Sequence, residues 1–190
     1  MPNLPDSKRV SERTVELLGG PTKARAVIDT EFGEMQRRWN QDVEAIGRIL
    51  RSHLYVEHYL TEYLEKANPR LGSVTTARLS FTQKLELLDP NDPRLADVLP
   101  GIKHLNVIRN RLAHRLNATL TVEDAEVFLG AKFFKAMRNE GAKPSTPSQD
   151  PLDILEQFAQ HASHSLTSEF SILGNAFGRA LDELIPPSAT

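Results

Sequence analysis

The chain has no cysteine among its 190 residues. This absence excludes a disulfide framework, a thiolate zinc site, an iron–sulfur centre and a cysteine nucleophile. No run approaches the roughly 18 consecutive apolar residues that a membrane-spanning helix needs, and the charges among the first twenty residues leave no signal-peptide pattern. We therefore expect a soluble, cytoplasmic protein with no membrane contact, no metal and no other cofactor.

Acidic residues are absent between Asp97 and Glu123, although the whole chain carries a net charge of −2. The basic residues of this window are Lys103, Arg109, Arg111 and Arg115. They give the window a charge of +4 and leave −6 for the remainder of the chain. Such a window is either a solvated basic helix face or the electrostatic footprint of a nucleic-acid partner.

Alternating apolar and polar residues, which are typical of half-buried strands, are scarce, and apolar residues recur at three- and four-residue spacings along nearly the whole chain. The sequence therefore predicts an all-α fold, a helical bundle of about five principal helices with extra N- and C-terminal helices. The expected organisation is an N-terminal helical extension over residues 1–40, a bundle over 41–138, a linker over 139–150 and a C-terminal helix over 151–190. That last helix could pack outside the core or on a partner.

Breaker and capping residues set the expected helix ends. A first helix covers 7–18, and a long second helix starts between 22 and 30 and ends at 68. The later helices are expected at 76–88, 100–116, 121–138 and 150–184. Thr121 and Asp124 have the spacing of a capping box, and Asp150-Pro151 is typical of a helix start.

The helix over 100–116 has three distinct faces. Its apolar stripe consists of Ile102, Leu105, Ile108, Leu112 and Leu116. A small, polar face consists of Asn106, Asn110, Ala113 and His114, and a basic face of His104, Arg111 and Arg115. Two occupied faces indicate that the helix packs on its own core and also on a second subunit or a ligand.

Two opposite charges fall where apolar residues are expected. Arg109 lies at the edge of the stripe just described, and Glu57 lies among the leucines of the long second helix, Leu50, Leu54, Leu60 and Leu64. Because a buried charge is costly unless it is paired, we expect a buried Glu57–Arg109 pair, which would either fix the register of the bundle or orient the arginine for function. His53, one turn before Glu57, either joins this site or is a satisfied core histidine.

The segment from Arg109 to His114, Arg-Asn-Arg-Leu-Ala-His, resembles the signature of the HEPN superfamily, an arginine followed after four to six residues by a histidine. The preceding segment from Leu79 to Leu88 is similar to the branch that includes mannitol-repressor-like (MltR) proteins. The resemblance covers roughly residues 42–120. It implies a four- or five-helix bundle that dimerises with its motif helices face to face, which would bury Asn106, Asn110 and Ala113 between two subunits.

The resemblance also implies residue roles, because in catalytic members the two motifs form one cleft that cuts RNA without a metal. His114 would be the general acid–base, Arg109 would hold the scissile phosphate, and Asn110 would help to orient it. Glu57 would support the arginine, and the RNA-binding residues would be Lys103, Arg111 and Arg115. Members that are silenced by adenylylation carry a tyrosine two residues after the histidine. This chain has Leu116 there, so that regulation is not implied.

We expect a dimeric RNA-binding module that acts as a metal-independent endoribonuclease in toxin, defence or stress biology, with an antitoxin as a candidate partner. The alternative is a non-enzymatic mannitol-repressor-like regulator that binds a protein partner, and a third hypothesis is a purely structural bundle. His161 and His164 have a metal-binding spacing without a third ligand nearby, so we expect surface histidines. Gly174 and Gly178 predict a close contact between helices.

Overall fold

A computed structural model describes residues 6–40, 42–89, 92–115 and 119–184, and the regular secondary structure in these ranges is entirely helical. The α-helices are α1 (Ser7–Leu17), α2 (Pro21–Trp39), α3 (Val43–Ala67), α4 (Phe81–Glu86), α5 (Pro93–Ala96), α6 (Leu99–His114), α7 (Val122–Leu129), α8 (Lys132–Ala142), α9 (Pro151–Thr167) and α10 (Ile172–Leu184). Single 3₁₀ turns occupy Pro69–Leu71 and Ser168–Phe170. For this part of the chain the all-α prediction is confirmed.

Local capping signals explain several of the helix starts. Thr121 and Asp124 form the expected capping box at α7, and the Asp150 carboxylate accepts a hydrogen bond from the Leu152 amide at 3.0 Å, directly before α9. The helix expected over 76–88 is wrong in its first half. A capping box between Ser80 and Gln83 starts α4 at Phe81 instead, because these two side chains satisfy backbone groups that have no partner within the helix.

Three of the expected helices are interrupted. The long second helix is two helices, since Asn40 leaves the helical conformation between α2 and α3. The helix over 121–138 breaks at Ala131, and the Asp97 carboxylate caps the new start by accepting from the amides of Lys132 at 2.8 Å and Phe133 at 3.1 Å. The last helix breaks after Thr167. The break at Ala131 is stabilised by a residue distant in sequence, which local patterns do not reveal.

The chain divides into two compact units, Met1–Val43 and Glu44–Thr190. The first unit contains α1 and α2, joined at Gly19 and Gly20, whose positive φ angles of 87° and 99° favour glycine. Among the described side chains of these two helices only Ala24 is buried. The first unit therefore has almost no apolar core of its own.

The second unit has its core around α9. The side chains of α9 that are buried are Ile154, Leu155, Phe158, Ala159, Ala162, Ser163 and Leu166. The Phe158 ring lies 4.8 Å from the Phe128 ring of α7 and 5.5 Å from the Phe134 ring of α8. The idea that the C-terminal helix packs outside the core is therefore wrong for α9. The segment between α8 and α9 is also shorter than the expected linker, because α8 continues to Ala142.

The buried faces of α3 and α6 decide where the candidate site lies. On α6 the expected stripe is confirmed at Ile102, Leu105 and Ile108, which are buried, while Leu116 lies outside the described residues. On α3 the expected stripe is wrong in its first half, because Leu50 and Leu54 are exposed. The side chains that α3 buries are Ile49, Ser52, His53, Val56, Leu60, Tyr63 and Leu64.

Candidate functional site

The exposed side of α6 carries the motif residues. Arg109, Asn110, Ala113 and His114 are all exposed, and the Arg109 guanidinium donates from Nη1 to the Asn110 Oδ1 at 3.2 Å. Since Ile102, Leu105 and Ile108 are buried in the core of the second unit, α6 cannot rotate about its axis without exposing its apolar stripe. The motif is thus presented on a fixed edge of the bundle.

The expected pairing of Glu57 with Arg109 is wrong. Glu57 instead accepts a hydrogen bond at its Oε1 from the Lys84 Nζ of α4, at 2.7 Å. Lys84 is buried, whereas Arg109 lies on the surface. The physical reason is the position of α4, which brings a long lysine stem across the apolar surface to the carboxylate and leaves no charge for the arginine to neutralise.

His53 of α3 is the buried centre of this region. Only 5% of it is exposed, its ring lies 4.4 Å from the Phe81 ring, and its Nε2 lies 3.3 Å from the Asn106 Oδ1. Burial lowers the pKa of His53 below its ordinary value. The hydrogen bond to the Asn106 Oδ1 and the charge of Glu57 oppose this effect, while the positive charges of Arg109 and Lys84 add to it. His53 is therefore a neutral, hydrogen-bonded histidine of the core at neutral pH.

Asn106 connects α6 to both neighbouring helices. Besides its contact with His53, its Nδ2 donates to the Thr82 Oγ1 of α4 at 3.2 Å. This expected dimer-interface residue is thus already hydrogen-bonded within one chain, whereas Asn110 and Ala113 are exposed. Burial of the three between two subunits stays a prediction.

Asp124 of α7 forms hydrogen bonds with two of the three residues that were assigned to the basic face of α6. Arg111 donates to both Asp124 carboxylate oxygens and also to the Thr119 carbonyl at 3.1 Å. The His104 Nε2 lies 2.8 Å from the Asp124 Oδ1. An RNA-binding role for Arg111 is therefore not supported, because its guanidinium is already held by a carboxylate. Lys103 and Arg115 remain exposed.

The protonation of Asp124 follows from these partners. Burial alone would raise the pKa of this carboxyl, but the hydrogen bonds from Arg111, from the Thr121 amide and from His104 together lower it below its ordinary value. Asp124, with 4% of its surface exposed, is consequently a buried, ionised acceptor. The sequence pattern indicated its capping role but not its link to α6.

The histidine and glycine pairs near the C-terminus can be compared with their predicted roles. His161 is half-buried, with its ring 5.8 Å from Phe133 and 5.5 Å from Phe134. Gly174 lies so close to Ser168 that a Cβ there would meet the Ser168 carbonyl oxygen at 2.2 Å, while Gly178 has open space around it. Gly174 therefore lies against the turn that precedes α10, and a close contact between two helices at Gly174 and Gly178 stays a prediction.

The exposed motif residues of α6 are suited to bind an anion. Within the described ranges no three His, Asp or Glu side chains come together as a metal site, and no helix there has the length and apolar content of a membrane span. What the edge offers is a guanidinium, an amide and an imidazole. All three groups can donate hydrogen bonds to phosphate oxygens, and the imidazole can in addition act as a general acid or base.

Comparison with known proteins gives no relative. No family model, curated protein or solved structure matches this chain.

Proposed function

We propose that the protein is a dimeric HEPN-type RNA-binding module that cuts RNA without a metal ion. The observation that supports this proposal is the state of Arg109. It is exposed, oriented by Asn110, and without a carboxylate partner among the described residues. An arginine held in this way is suited to bind an anion that comes from outside the chain.

The charge balance around Arg109 favours phosphate as that anion. Glu57, the nearest carboxylate of α3 to the buried histidine, is already paired with Lys84. A planar guanidinium can donate two parallel hydrogen bonds to one phosphate. The exposed Lys103 and Arg115 of the same segment add positive charge that attracts a nucleic-acid backbone.

His114 provides the proton transfer that cleavage needs. In its neutral form an imidazole removes the proton from the 2′-hydroxyl, whose oxygen attacks the phosphorus atom. The bond from phosphorus to the 5′-oxygen breaks, and a protonated imidazole donates a proton to that leaving oxygen. The products are a 2′,3′-cyclic phosphate and a 5′-hydroxyl, while Arg109 stabilises the charge on the phosphate oxygens.

Two subunits supply the two imidazoles in this proposal. Arg109 and His114 are five residues apart and so point about 140° apart around an α-helix, which prevents one chain from aiming both at a single atom. Pairing two α6 helices about a two-fold axis brings a second copy of each group to the cleft. The small, exposed Ala113 permits that approach, so Ala113→Trp should abolish cleavage and leave the monomer fold intact.

The test compares three variants on single-stranded RNA in the presence of EDTA. We expect the natural chain to cut and His114→Ala and Arg109→Ala to be inactive with unchanged melting temperatures. Arg109→Ala is a clean variant because the structure pairs Glu57 with Lys84, so no buried charge is stranded. His58→Ala, at an exposed histidine of α3, is the matched control and should cut normally. Intact RNA with the natural chain after long incubation at several pH values would refute cleavage.

One observation favours the alternative, a regulator that binds a protein partner. Val107 is 55% exposed and lies on the same side of α6 as Asn110 and His114, which gives this face an apolar element that RNA does not require. For a regulator, Val107→Glu should abolish the regulated response while His114→Ala leaves it intact. For the ribonuclease, His114→Ala is the damaging change.

A further inference from the structure

The α2 helix of the first unit carries an exposed apolar stripe. Its residues are Ile28, Phe32, Met35 and Trp39, which we call the α2 stripe. At 100° per residue the four fall within an arc of about 60° on one side of the helix. Their exposed fractions are 51%, 59%, 65% and 85%, rising toward the end of the helix.

The first unit cannot hide this stripe by itself. Of the described side chains in α1 and α2, only Ala24 is buried, and α1 has its own exposed apolar residues, Val10 and Leu17. Helices of this length owe most of their stability in water to the packing of an apolar face rather than to intrinsic propensity. Gly33, within α2, weakens the isolated helix further. A second surface is therefore needed to stabilise α2.

We propose that the α2 stripe packs against the α2 stripe of a second copy of this chain, with the two helices antiparallel. The order of the residues supports this geometry. In an antiparallel pair Ile28 lies opposite Trp39 of the second copy, and Phe32 lies opposite Met35. A single alignment of the two helices produces all of these layers of paired side chains. Each layer then joins an aromatic ring to a smaller side chain, whereas a parallel pair would place Trp39 against itself and Ile28 against itself.

The area of the stripe is sufficient for such a pair. A free large apolar residue exposes roughly 200–250 Å², so the measured fractions leave on the order of 600 Å² on each helix. The two stripes together amount to about 1,200 Å², which exceeds the roughly 1,000 Å² expected of a specific interface. Antiparallel packing also places the positive end of each helix dipole beside the negative end of the other, which is favourable.

Single thiols test the direction of the helices, because the natural chain has no cysteine. In the antiparallel pair Ile28→Cys and Trp39→Cys should form a mixed disulfide when the two full-length variants are combined. Neither should cross-link alone, since residues 28 and 28 of the two copies would be about 16 Å apart along the axis. Ala26→Cys, on the opposite side of α2, is the control and should remain uncross-linked. Disulfides from Ile28→Cys alone, or none at all, would overturn the proposal.

A second experiment separates this interface from the α6 pairing of the proposed function, on which it does not rest. In the full chain carrying Ala113→Trp, which blocks the α6 face, light scattering should still show a dimer. Adding Phe32→Glu should convert it to a monomer, whereas Phe32→Leu and Thr30→Glu, on the opposite side of α2, should not. A monomer already with Ala113→Trp alone, or a dimer that survives Phe32→Glu, would contradict the α2 pairing.

Discussion

Replacing Asp124 by asparagine tests the idea that one buried carboxylate holds α6 against α7. Asparagine has nearly the same size and keeps one accepting oxygen, which can still receive the Thr121 amide at the N3 position of the capping box. The Arg111 guanidinium then loses its ionised partner, and its Nε, already without a hydrogen-bond partner within the described structure, gains none. The substitution therefore removes the charge and also replaces one of two accepting oxygens by a donor.

The size of the effect follows from the burial of the two partners. Stranding one member of a fully buried ion pair costs about 3–5 kcal/mol. The Arg111 side chain keeps 26% of its surface exposed, while that of Asp124 keeps 5%, so water replaces part of the lost interaction. We expect a loss of about 2–3 kcal/mol. For a chain of this length that corresponds to a melting temperature lower by about 5–10 °C.

The assay is thermal unfolding followed by circular dichroism at pH 7, with Glu126→Gln as the control. Glu126 is an exposed carboxylate of the same helix, and its neutralisation should change stability by no more than about 0.5 kcal/mol. A melting temperature for Asp124→Asn within about 2 °C of the natural chain would refute the reasoning, as would an equal loss in both variants.

The pH dependence gives an independent check. The folded pKa of Asp124 is lowered below the value of an unfolded aspartate, which is about 3.9. Its stabilising effect should therefore be complete above about pH 4 and be lost as the pH falls through the lower folded pKa. The difference in melting temperature between the natural chain and Asp124→Asn should shrink in that acidic range. A difference that stays constant would show that the carboxylate charge is not responsible.

Two further pairs of variants test the packing around α6 by the same thermal assay. Lys84→Met strands a carboxylate and should cost about 1–3 kcal/mol, whereas Arg109→Met removes an exposed charge and should change stability by less than about 0.5 kcal/mol; equal losses would restore the Glu57–Arg109 pairing. Gly101→Ala should cost about 1–3 kcal/mol or more, because its Cβ would lie 2.2 Å from the buried Phe158 ring. Gly141→Ala has open space and should be neutral or stabilising by about 0.5 kcal/mol, so a comparable loss there would contradict the packing argument.

The helix starts that the sequence predicted correctly are those specified by neighbouring residues. The capping box of Thr121 and Asp124 and the Asp150-Pro151 pair each act within a single turn. The break at Ala131 was missed because its stabilising partner, Asp97, is distant in sequence. Periodicity also misplaced the buried face of α3, since that helix has apolar residues on more than one side and only packing selects among them.

In the candidate site, too, the features set by neighbouring residues could be predicted and those set by tertiary packing could not. The exposed position of His114 follows from the apolar stripe of α6, which the sequence predicted. Arg109 was expected in a buried pair at the edge of that stripe, and it is exposed instead. The partner of Glu57 could not be predicted, because a lysine is rarely buried and nothing in the local pattern of α4 indicates that Lys84 reaches across to α3. The pairing of charges between helices depends on tertiary distances, which a single sequence does not contain.

The central place of α9 has a consequence for synthesis of the chain. Phe158 and its buried neighbours on α9 complete a core whose other rings, such as Phe128, come much earlier in the sequence. Ribosomes add roughly 5–20 residues per second, so α6 and α7 wait for seconds with their apolar sides unshielded until Leu166 has emerged. Folding of the second unit therefore cannot be completed before α9 has been synthesised. A nascent chain stalled before Pro151 should bind chaperones and be degraded, even though every residue of the α6 motif has already been made.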